Sequence, residues 1–425
     1  MDTPGDHAVN LSDSGRVAAS SGLGDAQCSP PEPPASAGPF GRLRTIAWQV
    51  VFGGNVYNRS EFAGAFGDLG SLIPFVLAYI TINGMDPAGI LLSFGISKIF
   101  VGAYFKTPIS VQPMKAIGAT AIANPGAISH GMIWGSGLFS AAFWTIMALT
   151  GAIDWLARVT SRPVMRGIML GLGVSFMLTG LDSMKEQPLT AVAGVVLTFM
   201  FLSSQRIPAM LVLLALGVVI SFVLNPALAA ELGQISVRFR LPDFALGQMS
   251  WNDLLMGTLI LGIPQVPLTL GNAILGISAE NNALFPDRPV KARTIALDHG
   301  LMNFVSAAIG GVPLCHGAGG MAGHVRFGAK TGGALVILGL ILTILGLFFS
   351  DSVGLLFQML PTAILGVILF FAGLNLAATA RDIGTKKEDI YVMLATAGIA
   401  TFNMGIAFVA GMALYYGMRR GVVKA

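Results

Sequence analysis

Two short stretches of this chain place polar side chains and helix-breaking residues inside strongly apolar sequence. The first is PISVQPMKAIG at 108–118, which contains Gln112 and Lys115, and the second is PLCHGAGGMAG at 313–323. Irregular backbone at membrane depth is tolerated only where protein buries it or a wet cavity lies beside it. A helix that begins there presents unpaired N–H groups and the positive end of its dipole. Two such helix starts that face each other predict an anion site.

Lys115 is the charge that most needs a partner. It lies in the first predicted turn of its segment. A cation there opposes the helix dipole, and a charge at the bilayer centre costs about 2.5–3.5 kcal/mol on insertion scales. Both penalties shrink if an anion binds beside it, which is the role we expect. The alternative is that Lys115 reaches an interface or pairs with a carboxylate such as Asp68 or Glu280.

Other side chains near these stretches are candidate ligands of the same anion. Gln112 and Gln265 carry amide donors, and His316 opens the second stretch, where its ring can donate a hydrogen bond. A purely structural role for His316 is the alternative. Gly317 and Gly319 would let backbone N–H groups approach a ligand.

Three acidic residues lie in or beside the apolar segments. Asp68, in FGDLG, is a candidate proton carrier, because an intramembrane acid is a functional candidate by default. Its alternative role is as a structural partner of Lys115 or of a helix end. Glu280 and Asp298 are predicted near the inner surface, where solvation is the simpler expectation.

The cysteines and histidines do not indicate catalysis. Cys315 and His316 are adjacent, so on a helix they point in different directions, and no third orienting group is evident. Cys28 and Cys315 form neither a disulfide framework nor a zinc site. We therefore predict no enzyme activity, no metal and no cofactor.

The composition places the chain among membrane proteins. Hydrophobic residues make up 54% and charged residues 11%, and the mean hydropathy is +0.74. A soluble domain carries about 25% charged residues. The net charge is +4, but the basic residues form no patch, so nucleic acid is not an expected partner.

Apolar segments follow one another in two groups of seven. A spanning helix needs about 20 apolar residues, so the third and tenth segments are too short to cross a bilayer. The segments are 62–82, 88–105, 112–124, 132–153, 165–182, 189–204 and 208–225, then 253–275, 291–310, 316–325, 333–350, 353–377, 389–402 and 404–419.

The two groups resemble each other weakly, and seven is odd, so the second half is inverted relative to the first. Inverted repeats with paired broken segments are typical of secondary transporters. Three matches occur in the same order: GDLGSLIP at 67–74 with GTLILGIP at 257–264, 108–118 with 313–323, and GIML at 167–170 with GVIL at 366–369.

This pattern predicts an all-α polytopic membrane protein with a 7+7 inverted repeat and two broken half-helices. Its predicted regions are a disordered cytoplasmic tail at 1–45, a first repeat at 46–228, an extracytoplasmic loop at 229–250 and a second repeat at 251–425. With cytoplasmic termini, nearly all basic residues between segments fall inside, which satisfies the positive-inside rule. Only Lys185, Arg238 and Arg240 fall outside.

From about residue 59 onward the chain resembles the molybdate transporter family related to sulfate permeases. That family carries a PVQPMK-type motif in its third segment and a CHGxGG…FG motif in its second half, and FGDLG also fits. Ser110 stands where many members have proline, and His324 where glutamine is frequent. The resemblance implies a sulfate-permease- and nucleobase-transporter-like fold with core and gate domains. By carry-over it assigns the substrate site to Gln112, Met114, Lys115, His316, Gly317, Gly319 and Gly320.

These observations together predict a secondary active transporter that imports molybdate through the cell membrane. Inward movement of a dianion opposes the membrane potential by about 2.3 kcal/mol per charge per 100 mV, so we expect proton coupling. The chain ends soon after its last segment, whereas sulfate permeases proper usually append a regulatory domain, which favours the molybdate branch.

Several alternatives stay open at this point. Sulfate or tetrahedral oxyanions in general are the alternative cargo. A nucleobase or carboxylate carrier, an anion channel and a membrane enzyme are the others. Besides the anion, the expected partners are a proton and membrane lipid, and the wider fold leaves a homodimer open.

Overall fold

The structure is a computed structural model that describes residues 49–159, 161–202, 209–224, 226, 237–353 and 360–422. The predicted tail at 1–45 and residues 229–236 of the predicted loop lie outside this range. Six of the described helices are long and apolar enough to cross a bilayer, and three shorter ones are also apolar. The prediction of an all-α polytopic membrane protein is confirmed.

The helices follow the predicted order of segments. A hairpin of β1 (Gln49–Phe52) and β2 (Asn55–Asn58) comes first. The first half then contains α1 (Arg59–Thr81), α2 (Pro87–Phe105), β3 (Gln112–Pro113), α3 (Lys115–Ala123), α4 (His130–Thr150), α5 (Arg162–Met184), α6 (Pro188–Phe201) and α7 (Ala209–Leu224). Short helices at Ile153–Val159 and Leu246–Gln248 lie between longer ones.

The second half repeats this order. It contains α8 (Trp251–Leu284), α9 (Ala292–Ala308), β4 (Leu314–Cys315), α10 (Ala318–Arg326), α11 (Gly333–Phe348), α12 (Thr362–Ala378), α13 (Lys387–Ala400) and α14 (Met404–Arg419). A 3₁₀ turn at Thr379–Asp382 follows α12.

Two predicted boundaries are wrong. The eighth predicted segment, 253–275, stops too early, because α8 continues through Ile277–Leu284, which includes the polar residues Glu280, Asn281 and Asn282. Asn281 holds that end by donating from Nδ2 to the carbonyl oxygen of Arg288 at 2.8 Å. The segment predicted at 353–377 starts too early, because α12 begins at Thr362. Pro361 precedes it, and a proline commonly marks a helix start.

Polar side chains set where many of the helices begin. An N-cap oxygen satisfies one of the backbone N–H groups that a helix start leaves unpaired. Residues that accept such a bond directly before α1, α2, α4, α5 and α14 are Asn58, Asp86, Ser129, Ser161 and Asn403. The polar residues between apolar segments therefore define the helix starts.

Helix packing follows the inverted repeat. Helix α2 packs along α11, and α4 packs along α9. These two contacts are equivalent in the repeat, because α2 corresponds to α9 and α4 corresponds to α11. Helix α5 packs along α12, its own counterpart, and also along α13. Helices α1–α4 and α8–α11 thus form a core domain, while α5–α7 and α12–α14 form a gate domain.

Glycines allow the closest of these crossings. A Cβ added to Gly173 of α5 would lie 2.6 Å from the carbonyl oxygen of Gly373 in α12. A Cβ added to Gly339 of α11 would lie 2.7 Å from the carbonyl oxygen of Gly95 in α2. Small residues that let backbones approach are a common basis of helix association in membranes.

The two broken segments meet through their strands. Strand β3 pairs antiparallel with β4, with Gln112 opposite Cys315. Each strand leads into a helix of nine residues, α3 or α10. Pro113 lies opposite Leu314 in the same pair of strands.

The described part of the connecting loop lies over the core domain. The N–H groups of Arg238 and Arg240 donate to the carbonyl oxygens of Phe348 and Leu347 at 3.1 and 2.8 Å. The N–H of Ala245 donates to the carbonyl oxygen of Ala308 at 3.0 Å. The loop thereby satisfies terminal carbonyls of α11 and α9.

Glu61 ties the first helix to α11. It is 2% exposed, and its Oε1 accepts from the N–H groups of Lys330 and Thr331 at 2.8 and 2.9 Å. Its Oε2 accepts from the N–H of Ala334 at 3.0 Å. A buried carboxylate at the positive end of a helix is held by these bonds and by the helix dipole.

We expect Glu61→Ala to lower the free energy of unfolding by about 2–4 kcal/mol, because it leaves three N–H groups, two of them buried, without an acceptor. The measurement is the midpoint of thermal unfolding of the purified protein in detergent. Glu388→Ala is the control, since Glu388 is exposed on α13. Equal midpoints for the two variants would contradict the role assigned to Glu61.

Candidate functional site

A cavity of about 400 Å³ lies where the starts of α3 and α10 face the gate domain. The core side contributes residues of α1 and of both broken segments, and the gate side contributes residues near the ends of α6 and α12. Polar residues in its wall are Asp68, Ser71, Gln112, Lys115, Arg326, Asn375 and Thr379, and glycines in its wall include Gly319 and Gly320.

Both half-helices present their N-terminal ends to this cavity. Lys115 is the first residue of α3, and Gly319 and Gly320 lie in the first turn of α10. The first turn of a helix leaves N–H groups without intrahelical partners. One of them, at Ala116, donates to Oε1 of Gln265 at 2.8 Å. A second, at Gly320, donates to the carbonyl oxygen of Gly317 at 3.0 Å, so these two N–H groups already have partners within the protein.

Lys115 is half-buried and lies in the cavity wall. The ion pairs found among the described residues involve other groups, and Lys115 is in none of them. Pairing with Asp68 or Glu280, the alternative considered from the sequence, is therefore not what the described structure shows. A cation at a helix start without a carboxylate partner favours an anionic ligand.

Asp68 and Gln112 form a buried pair beside Lys115. Nε2 of Gln112 donates to Oδ1 of Asp68 at 2.6 Å, and the two residues are 1% and 3% exposed. Oδ2 of Asp68 and Oε1 of Gln112 have no hydrogen-bond partner among the described residues. Buried polar atoms are nearly always paired, so two adjacent acceptors without donors mark a place where a proton or a ligand hydroxyl can bind.

Three predicted ligands lie behind the cavity wall. Met114 is fully buried, and its Sδ accepts from Oγ of Ser140 at 3.7 Å. His316 is also fully buried, with Nδ1 donating to the carbonyl oxygen of Ser110 at 2.9 Å. Oε1 of Gln265 accepts from the N–H of Ala116. The Gln265 side chain lines only a second, small cavity of about 10 Å³, whose wall also includes Lys115. These side chains shape the site without lining the main cavity.

Gly317 also lies behind the wall, where its carbonyl oxygen accepts from Oγ of Ser110 at 2.7 Å.

The prediction that Asp298 is exposed to solvent is wrong. It is 6% exposed rather than solvated, and its Oδ2 lies 2.8 Å from Nε2 of His316. The sequence predicts Asp298 near the inner surface, but the packing of α9 places it against the second broken segment.

Sequence reasoning missed Lys98. It is fully buried in α2, and its Nζ donates to the carbonyl oxygen of Val111 at 2.7 Å. Its charge is close enough to Asp68 to interact with it electrostatically. A lone lysine inside the apolar segment 88–105 was the available signal, because intramembrane charges mark functional or structural sites.

Gly320 lets the broken segments approach. A Cβ at this position would lie 2.6 Å from Oγ of Ser110 and 2.7 Å from Oδ1 of Asp68, and it would collide with Nε2 of Gln112. A Cβ at the neighbouring Gly319 would meet nothing within 4 Å. Only one of the two glycines is therefore required by packing.

Comparison with known families and proteins gives consistent results. The profile of a family described as "Molybdate transporter of MFS superfamily" matches residues 60–176 and 257–376. The chain is 31% identical to "Molybdate transporter 2" of Arabidopsis thaliana over 407 residues, covering 84% of this chain and 86% of that protein. It is 29% identical to "Molybdate transporter 1" of the same plant, covering 89% and 91%.

Two solved structures that share this fold are named as a bicarbonate transporter and an anion transporter. The transmembrane domain of a cyanobacterium bicarbonate transporter, BicA, matches with a TM-score of 0.63 at 19% identity, covering 83% of this chain and 97% of that one. A murine solute carrier 26 family member A9 anion transporter in the inward-facing state matches with a TM-score of 0.64 at 13% identity, covering 86% and 69%. At these identities the likeness shows the fold.

We expect Gly320→Ala to lower the midpoint of thermal unfolding and Gly319→Ala to leave it unchanged. The first substitution overpacks a buried polar cluster, at a cost of about 1–3 kcal/mol, while the second places a methyl group in open space. Gly398→Ala on α13 is a matched control, because a Cβ there also meets nothing within 4 Å. A larger loss for Gly319→Ala than for Gly320→Ala would contradict this geometry.

Proposed function

Because the chain belongs to the molybdate transporter family, we propose that it is a secondary active transporter that imports molybdate across a membrane. The observation that carries the proposal is Lys115, a cation without a carboxylate partner in the described structure, in a cavity that both half-helix starts reach. The relatives are named as transporters, and the chain is a transporter rather than an enzyme.

Molybdate suits the chemistry of this cavity. It is a tetrahedral dianion whose oxygens only accept hydrogen bonds, so its site must supply donors. Lys115 supplies an ammonium group, and the first turns of α3 and α10 supply backbone N–H groups and the positive ends of two dipoles. A Cβ added at Gly319 would meet nothing within 4 Å, so this position in the first turn of α10 is open.

Proton coupling is part of the proposal. A dianion that enters a negative-inside cell works against about 2.3 kcal/mol per charge per 100 mV, and cotransported protons would offset this. Asp68 is the candidate carrier in the cavity wall, since its unpaired Oδ2 can hold a proton. A protonated Asp68 would also remove a negative charge from beside the anion.

The proposed orientation places both termini and the cavity mouth in the cytoplasm of the cell. Arg326 and Thr379 line the cavity. The chain that follows each of these residues carries basic side chains, and these lie on the cytoplasmic side, as the positive-inside rule requires, only in that orientation. The repeat boundaries at 46–228 and 251–425 and a homodimer stay predictions. Sulfate is the alternative cargo, because it has the same charge and shape.

We expect Lys115→Ala to weaken molybdate binding about 10- to 100-fold, the equivalent of one lost charge-assisted hydrogen bond. The measurement is saturable uptake of nanomolar molybdate by cells that express the protein, with sulfate in large excess. Lys185→Ala is the control, because Lys185 is exposed and pairs with Asp182 on the surface.

The molybdate uptake assay distinguishes three possibilities. Uptake that resists sulfate and falls only in Lys115→Ala supports a molybdate carrier with Lys115 at its site. Uptake abolished by sulfate would change the cargo to sulfate or to oxyanions in general. Normal uptake by Lys115→Ala would remove Lys115 from the site.

We expect Asp68→Asn to lose most of the pH dependence of uptake, because the amide keeps the shape of the side chain but cannot exchange a proton. The measurement is initial uptake rate against external pH for wild type and variant at equal surface expression. Asp351→Asn is the control, since Asp351 pairs with Arg240 near the connecting loop. An unchanged rate and pH profile in Asp68→Asn would end its proposed role.

A further inference from the structure

A further cavity, of about 440 Å³, lies where α2 ends and α9 begins. Its wall contains Tyr104 and Phe105 of α2, residues 288–291 of the loop before α9, and Thr294 in the first turn of α9. Two of these wall residues, Arg288 and Lys291, are basic, and none of the described residues that line the cavity is acidic. We call this cavity the interfacial pocket.

The loop that carries the two cations is held in place by the end of α8. Nδ2 of Asn281 donates to the carbonyl oxygen of Arg288 at 2.8 Å. Nδ2 of Asn282 donates to the carbonyl oxygen of Val290 at 3.1 Å, and the N–H of Val290 donates back to Oδ1 of Asn282 at 2.7 Å. Asn281 is fully buried, so this support belongs to the packed interior. The backbone that carries Arg288 and Lys291 is therefore positioned before any ligand binds, which lowers the cost of binding.

Both cations keep donors for a ligand. Nη1 of Arg288 donates to the carbonyl oxygen of Lys106, directly after α2, and a guanidinium group has four further N–H donors. Arg288 and Lys291 are exposed, and they are in none of the ion pairs found among the described residues. Asp287, the neighbouring acid, lies outside the wall. Two such cations favour an anionic ligand, and an arginine suits phosphate oxygens in particular.

The start of α9 adds to the positive potential of the pocket. Its N-cap residue is Lys291, and no side chain caps this helix start. The first turn of a helix leaves backbone N–H groups without intrahelical partners and carries the positive end of the helix dipole. This contribution alone would define no site, but it has the same sign as that of the two side chains.

Two rows of exposed apolar side chains lead away from the pocket. On α2, Ile96, Phe100 and Tyr104 follow one another at intervals of four residues and are 42%, 43% and 58% exposed. The rings of Phe100 and Tyr104 stack, with centroids 5.9 Å apart. On α9, Leu301 and Phe304 are 47% and 52% exposed. Residues three or four apart share one face of a helix, so each row is a face that lipid can cover.

The position of the pocket relative to these rows fits a phospholipid. Helices α2 and α9 pack on each other, α2 reaches the pocket with its C-terminal end, and α9 leaves it with its N-terminal end. Both rows therefore run from the pocket into the bilayer, where acyl chains can lie along them. A tyrosine such as Tyr104 is typical of the membrane–water interface, and basic pockets between membrane helices bind anionic lipid headgroups.

We propose that the interfacial pocket binds the headgroup of an anionic phospholipid through Arg288 and Lys291, with its acyl chains on α2 and α9. The lipid is not cargo, because the pocket shares no wall residue with the cavity that contains Lys115. Such a lipid would join the end of α2 to the start of α9 and so stabilise the core domain. Soluble phosphate has the same headgroup chemistry, but it would leave the apolar rows uncovered.

The experiment is native mass spectrometry of purified full-length protein in detergent, titrated with phosphatidylglycerol and, in parallel, with phosphatidylcholine of the same acyl chains. Only the first lipid has a net negative charge. The variant combines Arg288→Gln with Lys291→Gln. The control combines Lys386→Gln with Lys387→Gln at the start of α13, which removes the same charge from exposed positions outside the pocket. Inorganic phosphate is added in excess to protein that has phosphatidylglycerol bound.

We expect the wild type to bind phosphatidylglycerol more tightly than phosphatidylcholine. The affinity for phosphatidylglycerol should fall about 25-fold in the Arg288 and Lys291 double variant and about fivefold in Lys291→Gln alone, since each cation near an anionic headgroup contributes about fivefold. The control variant should keep the wild-type affinity. Inorganic phosphate should leave the lipid bound, because it cannot replace the acyl-chain contacts.

Three results would overturn the inference. The first is equal binding of the two lipids by the wild type, which requires no variant to fold. The second is equal affinity of the double variant and the control for phosphatidylglycerol, or an unchanged affinity in Lys291→Gln if the double variant does not fold. The third is displacement of phosphatidylglycerol by inorganic phosphate, which would make the pocket a site for soluble phosphate. The assay contains no molybdate, so the inference and the proposed function succeed or fail separately.

Discussion

The antiparallel contact between β3 and β4 is the constraint on which the site depends. Only two residues pair on each side, so the ladder alone is weak. Around it, the N–H of Met114 donates to the carbonyl oxygen of Pro313 at 2.8 Å, and Oγ of Ser110 donates to that of Gly317 at 2.7 Å. Because β3 leads into α3 and β4 leads into α10, the N-termini of these two helices lie side by side.

This arrangement explains why a membrane protein keeps several charges in its interior. Lys98 binds a carbonyl oxygen of the first broken segment, and Asp68 binds the amide of Gln112. Nδ1 of His316 donates to the carbonyl oxygen of Ser110, and its Nε2 lies 2.8 Å from Oδ2 of Asp298. Unwound backbone at membrane depth leaves polar groups that no helix satisfies, and these side chains provide their partners. Lys115, which is in none of the ion pairs found among the described residues, lines the cavity together with Asp68 and Arg326.

The division into core and gate follows from the same geometry. The core helices hold the broken segments through α2, α4, α9 and α11, and Glu61 and the connecting loop satisfy helix ends on that side. The gate helices pack mainly on one another, through close glycine contacts between α5 and α12. The cavity lies between the two domains, so a relative movement of the domains would change access to Lys115 without breaking the β3–β4 contact.

The sequence alone determined the membrane class, the order of the segments and the two broken ones, because these follow from apolar length, turn residues and charge placement. It also identified Asp68, Gln112, Lys115, Gly319 and Gly320, which line one cavity. Only the tertiary structure decided that Met114, Gln265 and His316 lie behind that cavity. It also decided that Asp298 is buried and that Lys98 donates to the carbonyl oxygen of Val111. Burial and pairing of a side chain depend on contacts between segments far apart in the chain. Residue type and local spacing carry no information about those contacts.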